Sequence, residues 1–142
     1  MHILDKESEG LADKLQALPL ERRRQIVAEA CNLAGRDIGD LEPEIQDLLS
    51  AISLHNLLSD LQVEQARSLA NKADDKYFTL QEDGAAESEY LNWFSKSRLL
   101  TAIADGFQGS SWEKAADAIY ELCHAADDRS KIIALVESEI GK

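Results

Sequence analysis

Aromatic residues are scarce in this chain, at 6% of 142 residues. The core must therefore be packed from Leu, Ile, Val and Ala. Two prolines and seven glycines leave little turn punctuation, which argues against a many-turned β fold. The only cysteines, Cys31 and Cys123, lack CxxC spacing, so neither a disulfide framework nor a paired-thiol metal site is expected. Both sit in Ala-rich helical contexts, where a free thiol behaves as a small hydrophobe. No apolar run approaches the roughly 20 residues of a membrane span. The opening MHILDKESEG turns polar after Leu4, so a signal peptide is not expected either. A reduced, cytosolic location is the default expectation.

Positive charge is also short. Fifteen basic residues face 27 acidic ones, for a formal charge of −12. Such a surface repels nucleic-acid phosphates and anionic lipid, and attracts basic proteins. Plain solubility is the competing explanation.

What is abundant is helical. Leu and Ala dominate, with Glu, Asp, Gln and Lys between them, all helix-compatible. Nearly every segment shows a 3.6-residue apolar period and none alternates clearly. The pattern predicts an all-α fold: one domain over residues 1–142, a compact bundle of about seven helices, mostly antiparallel neighbours with short links. The first helix is expected over about 7–18, with Leu11, Leu15 and Leu18 on one face. Pro19 suits the first turn of a second helix, which is expected to stop at Gly35. Asp40 is a plausible cap for a third helix, about 41–58. This helix is the most apolar (Ile45, Leu48, Leu49, Ile52, Leu54, Leu57, Leu58), and its wide arc predicts a central position.

Ser59 or Asp60 is expected to cap a fourth helix, about 60–82. Its seam of Val63, Ala66, Ala70, Ala73, Tyr77 and Leu80 allows close approach of a neighbour. Gly84 ends it, and a fifth helix follows over about 86–106. Ser110 and Glu113 match a capping box for the sixth. Asp127 or Asp128 caps the seventh. No internal repeat is evident, and the tetratricopeptide pattern is absent.

The stretch YELCHAADD, residues 120–128, brings together a thiol, an imidazole and two carboxylates. On a helix, adjacent residues diverge by about 100°, so Cys123 and His124 do not face one another. Glu121, Asp127 and Asp128 would oppose a thiolate. The aspartates read better as helix caps. His2, His55 and His124 are isolated, with no HExxH or HxH spacing. No Gly-rich phosphate loop occurs, and no carboxylate pair is marked for acid–base work. Neither a metal nor another cofactor is expected. Arg22, Arg23 and Arg24 open the second helix against its dipole; acids on adjacent helices are their expected partners, with a contact to a partner's acidic group as the alternative.

Acid clustering is the strongest pattern. Asp37, Asp40, Glu42, Glu44, Asp47, Asp60 and Glu64 lie between Arg36 and Arg67 with no basic residue among them. Glu82, Asp83, Glu87 and Glu89 form a second basic-free cluster, followed at once by Tyr90, Trp93 and Phe94. An acidic rim around aromatic anchors suits a face for a basic protein. A solvated face beside core aromatics is the other reading.

The stretch DKYFTLQEDGAAESEYLNWFSKSRLLTAIADGF, followed by WEKAADAIYELCHAADD, resembles helical bacterial immunity proteins in overall texture, without a diagnostic motif. The resemblance covers roughly the C-terminal half. It implies a cognate toxin, often a nuclease or other cytoplasm-acting enzyme, blocked by tight binding. A nuclease must be basic to hold its substrate's phosphates, so an acidic inhibitor would compete for the same patch. The expectation is thus a non-enzymatic inhibitor of a basic partner, with the acids between Asp37 and Glu64 as the first-choice contact surface. The alternative is a helical adaptor or secretion-chaperone-like protein masking an amphipathic client segment. An enzyme would need His55 or His124 in a deep polar pocket.

Overall fold

A computed structural model describes residues 2–55 and 57–142. Within them lie one short 3₁₀ turn, Ile3–Lys6, and seven α-helices: α1 Leu11–Gln16, α2 Leu20–Ile38, α3 Pro43–His55, α4 Asp60–Glu82, α5 Glu87–Gly106, α6 Trp112–Ala125 and α7 Arg129–Ile140. No strand occurs among the described residues. The fold is an all-α single domain, as the apolar period predicts.

Helix α5 is the centre. It packs on α4 and α6 along much of its length, and on α2 and α3. Helix α2 also meets α6 and α7, and α1 sits on α6. From Lys96 to Ala104 nearly every α5 residue is buried, including Leu99, Leu100, Ala102 and Ile103. Facing them are Ile26, Val27, Ala30 and Cys31 of α2, and Ala115, Ala116, Ile119 and Leu122 of α6. The core is almost wholly aliphatic, and Phe107 is its one fully enclosed aromatic among the described residues.

Several boundaries differ from expectation, each for a physical reason. The predicted first helix breaks in two, because Gly10 adopts φ +78° as the cap of a six-residue α1. Helix α2 runs through Gly35 to Ile38, and Gly39, at φ +67°, ends it. Gly35 serves packing instead: a Cβ there would come within 2.9 Å of Leu49 Cδ1. Asp40 is no helix cap; it takes φ +45° in the reversal before α3, a conformation that Asp tolerates better than most. Pro43 opens α3, where its missing N–H costs nothing.

Helix α3 is peripheral, not central. It lies chiefly on α2 and touches α4 and α5 only lightly. Ile45, Leu48, Leu49 and Ile52 are buried, but Leu54 is 76% and Leu57 51% exposed.

Ser59 caps α4 in a reciprocal box: its hydroxyl accepts from the Gln62 N–H, and the Gln62 side chain accepts from the Ser59 N–H at 2.9 Å. The α6 cap falls one residue later than expected, on Ser111, whose hydroxyl accepts from the Glu113 N–H at 3.1 Å. Asp128, not Asp127, caps α7. The Ser130 hydroxyl and N–H donate to its carboxylate and hold it below the usual range.

The three arginines in the first turns of α2 mostly grip backbone. Arg22 donates to the Glu139 carbonyl at 2.6 Å and to its carboxylate at 3.1 Å. Arg23 donates to the Leu18 and Ser110 carbonyls, and Arg24 to that of Gly109. Only Arg22 meets an acid; the other two tie the start of α2 to the ends of neighbouring segments.

Gly106 marks the closest helix approach. A Cβ on it would lie 2.6 Å from Val27 Cγ1 and 3.4 Å from Ala118 Cβ. Val27 is β-branched and cannot swing aside. Gly106→Ala is expected to destabilise the fold by about 1–3 kcal/mol through overpacking, read as a lower urea midpoint at unchanged m-value. Gly35→Ala should cost less, because the flexible end of Leu49 can yield. Equal or reversed effects would contradict the helix spacing described here.

Candidate protein-binding surface

The two acidic blocks are placed differently. Asp40, Glu42, Glu44 and Asp47 lie at the start of α3, whereas Asp60 and Glu64 lie beyond its far end. Eight residues of α3 follow Asp47 before the helix ends at His55, roughly 12 Å of rise. The first block is therefore not one surface. Asp37 joins Ile38, Ser88, Leu91, Asn92, Ser95, Ala125 and Asp127 around a cleft of about 290 Å³. The end of α2 thus faces the side of α5 that carries Ser88, Leu91, Asn92 and Ser95. Asp60 and Glu64 flank a separate groove beside Arg67 and Gln108.

Ion pairing separates the acids further. Glu42 is engaged: the buried Lys96 Nζ, 4% exposed, donates to it at 2.6 Å and lies 4.3 Å from the centre of the Trp93 ring. The other ten candidate acids form no salt bridge among the described residues. Nine of them are exposed, with Asp37 the exception. The cations are occupied differently. Arg98 holds Glu121 at 2.9 Å and Asp74 at 3.6 Å, Arg67 holds Asp105, and Arg129 holds Glu7.

The second block crowns a helical arm. Buried α4 residues end at Ala73 and those of α5 begin at Lys96, so residues 74–95 contain none that is fully buried. Ala73 to Glu82 alone extends roughly 14 Å. Along this arm the aromatics zip together. Tyr77 is the hub, with ring centroids 5.0 Å from Phe78, 5.8 Å from Tyr90 and 5.5 Å from Phe94. These are edge-on or tilted contacts of the favourable kind. Phe78 nonetheless remains 57% exposed. Glu82, Asp83, Glu87 and Glu89 stand around the turn, all exposed.

The thiols and imidazoles lie apart from one another among the described residues. Cys31 is wholly buried and burial pushes its thiol up. Cys123 is pushed up to about 12 by burial, with Glu7 adding and Arg129 opposing. His124 stacks edge-on against Tyr120 at 4.7 Å, with its side chain on the exposed side of α6. His2 is pinned: Nδ1 accepts from the Leu4 N–H at 2.9 Å, and Nε2 lies 2.6 Å from Asp117. His55 lines a groove of about 370 Å³ with Glu21, Arg24, Gln25 and Leu57. No group of three or more His, Cys, Asp and Glu among the described residues is arranged to hold a metal. No helix among them is long and apolar enough to cross a membrane.

Compared with known protein families, with curated proteins and with solved structures, the chain finds no match.

Sequence reasoning missed two features: the Lys96–Glu42–Trp93 grouping, and the exposed leucines Leu54, Leu57 and Leu61 at the α3–α4 corner. A lysine three residues after Trp93 is a weak signal for the first. Nothing in the α3 pattern marks the second.

With both thiols shielded and held protonated, neither should react with a disulfide reagent at pH 8 in the native state. Two thiols per chain should appear on unfolding in urea. One thiol titrating within minutes in the absence of denaturant would contradict the packing of α6.

Proposed function

We propose that this chain is a non-enzymatic inhibitor of a basic protein, and that its biological role is that of an immunity protein neutralising a cognate toxin. The observation that carries the reading is the division of charge. Eight of the fifteen basic residues are drawn into salt bridges or backbone contacts, while ten candidate acids, nine of them exposed, are left without an internal partner. A surface of this kind accelerates encounter with a positive partner. A nuclease is the partner class that best fits, since its substrate-binding patch must be positive. The mechanism is electrostatic steering followed by occlusion of that patch. No cofactor takes part, and the setting is cytoplasmic.

A second reading has one observation in its favour. Leu54, Leu57 and Leu61 are 76%, 51% and 76% exposed, and apolar surface of this sort attracts a client segment. A helical adaptor or secretion-chaperone-like protein would use that corner, and its binding would tolerate salt.

Affinity capture from the native cell, followed by association kinetics, separates the two. The expected partner has a strongly basic surface, its activity falls stoichiometrically as this chain is added, and its on-rate drops at least tenfold between about 20 and 300 mM salt. An on-rate indifferent to salt, or a partner without excess positive charge, would remove the inhibitor reading.

A further inference from the structure

We infer that the outer half of the α4–α5 hairpin is a docking arm for an amphipathic basic segment of the partner protein, with Phe78 as its anchor. This rests on the reading of the chain as a binder of basic proteins, and names the surface that does it.

Aromatic placement is the first argument. Eight aromatics occur in the chain, and five of them, Tyr77, Phe78, Tyr90, Trp93 and Phe94, lie within residues 74–95, where nothing is fully buried. A fold seeking only stability would place such large apolar groups in its core, since each buries 150–250 Å² at best. Here the core is aliphatic, Trp93 packs against its edge, and the other four rings lie further out on the arm. They do cement the hairpin, but that role accounts for Tyr77, Tyr90 and Phe94, which face one another. It leaves Phe78 with most of its ring in water.

Charge is the second argument, and it sets the chemistry of the occupant. Six acids and one lysine occupy residues 74–95. The lysine, Lys76, lies 6.0 Å from the Trp93 ring centre. Asp74 is engaged by Ser97 and Arg98. Glu82, Asp83, Glu87 and Glu89 have no cationic partner among the described residues. An apolar anchor fringed by unpaired carboxylates complements a segment with apolar residues on one side and Lys or Arg beside them. The first acidic block lacks this combination. It contains no aromatic residue, its members are divided between the start of α3 and the chain beyond its end, and Lys96 already occupies Glu42.

Two defined peptides test the arm without the natural partner. One is an 18-residue leucine–lysine amphipathic helix; the other has the same lysines with every leucine replaced by serine. Chemical-shift titration of the labelled protein should give saturable shifts clustered on residues 77–94 with the first peptide, and binding at least tenfold weaker with the second. Phe78→Ala should weaken the first peptide at least tenfold while leaving the melting temperature nearly unchanged, because that ring is mostly in solvent. Glu82→Gln, Asp83→Asn, Glu87→Gln and Glu89→Gln combined should weaken it and flatten its salt dependence. Shifts confined to Leu54, Leu57 and Leu61, equal binding of both peptides, or a Phe78→Ala variant that binds unchanged would overturn the assignment. Peptide binding on the arm with no basic protein captured from cells would leave the arm standing and remove the inhibitor reading. A basic partner whose binding ignores Phe78 would do the reverse.

Discussion

From Lys96 to Ala104, helix α5 is enclosed on nearly every side, and the remaining helices are arranged around that fact. An enclosed helix leaves polar groups unpartnered only at a cost in free energy. Lys96 therefore reaches Glu42 and lies over the Trp93 ring, Ser97 donates to Asp74, and Arg98 bridges Asp74 and Glu121. Those partners come from the α2–α3 link, α4 and α6. Removing Glu42 would strand the buried ammonium of Lys96, and because Glu42 itself is 34% exposed the loss falls below the roughly 3–5 kcal/mol of a fully buried pair. The polar contacts of α5 thus fix how its neighbours are oriented around it, beyond what aliphatic packing alone specifies.

The same enclosure shapes the outer surface. Basic residues held inward, or laid on backbone carbonyls as Arg23 and Arg24 are, are withdrawn from the solvent-facing surface. Salt-bridged cations withdraw acids with them, so the excess of 27 acids over 15 basic residues stays on the outside. The packing of the interior and the electrostatics of the exterior are therefore linked through the cations of α2 and α5. A substitution that freed Lys96 or Arg98 would disturb both.

Much of the architecture was legible because apolar periodicity reports burial directly. The α4 seam of Val63, Ala66, Ala70 and Ala73, and the stripe Ala115, Ala116, Ile119, Leu122 and Cys123, are buried as their spacing implies. The failures have specific causes. Gly35 and Gly39 carry the same local signal, but only the backbone conformation tells a packing glycine from a terminating one. The apolar arc of α3 suggested a central helix, yet Leu54 and Leu57 face solvent. Periodicity measures what a helix could bury, and only the neighbouring helices decide what it does bury. Lys96 was invisible for the converse reason: a charged residue is enclosed when distant groups satisfy it, and Glu42 lies 54 residues away.

For the surface, adjacency in sequence was informative where the backbone is a simple hairpin. Glu82 to Phe94 spans one turn and the helical segments beside it, so acids and aromatics that are close in sequence remain close in space. Across the α2–α3–α4 segment the same inference fails, because α3 carries Asp60 and Glu64 away from Asp40 and Asp47. Local clustering of charge therefore translates into a surface only when the chain folds back within it. The arm also has a mechanical consequence. On the α4 side its inner half is seated by one valine and three alanines, whose burial stabilises by only about 0.8 kcal/mol per methyl-sized group. Beyond Ala73 and before Lys96 no residue is fully buried, so the outer arm is less firmly held than the enclosed part of α5, and local opening draws on such regions. The ring cluster around Tyr77 supplies the additional cohesion that keeps the arm's two helices in register, and so holds Phe78 and the acids of the turn in fixed relation to one another.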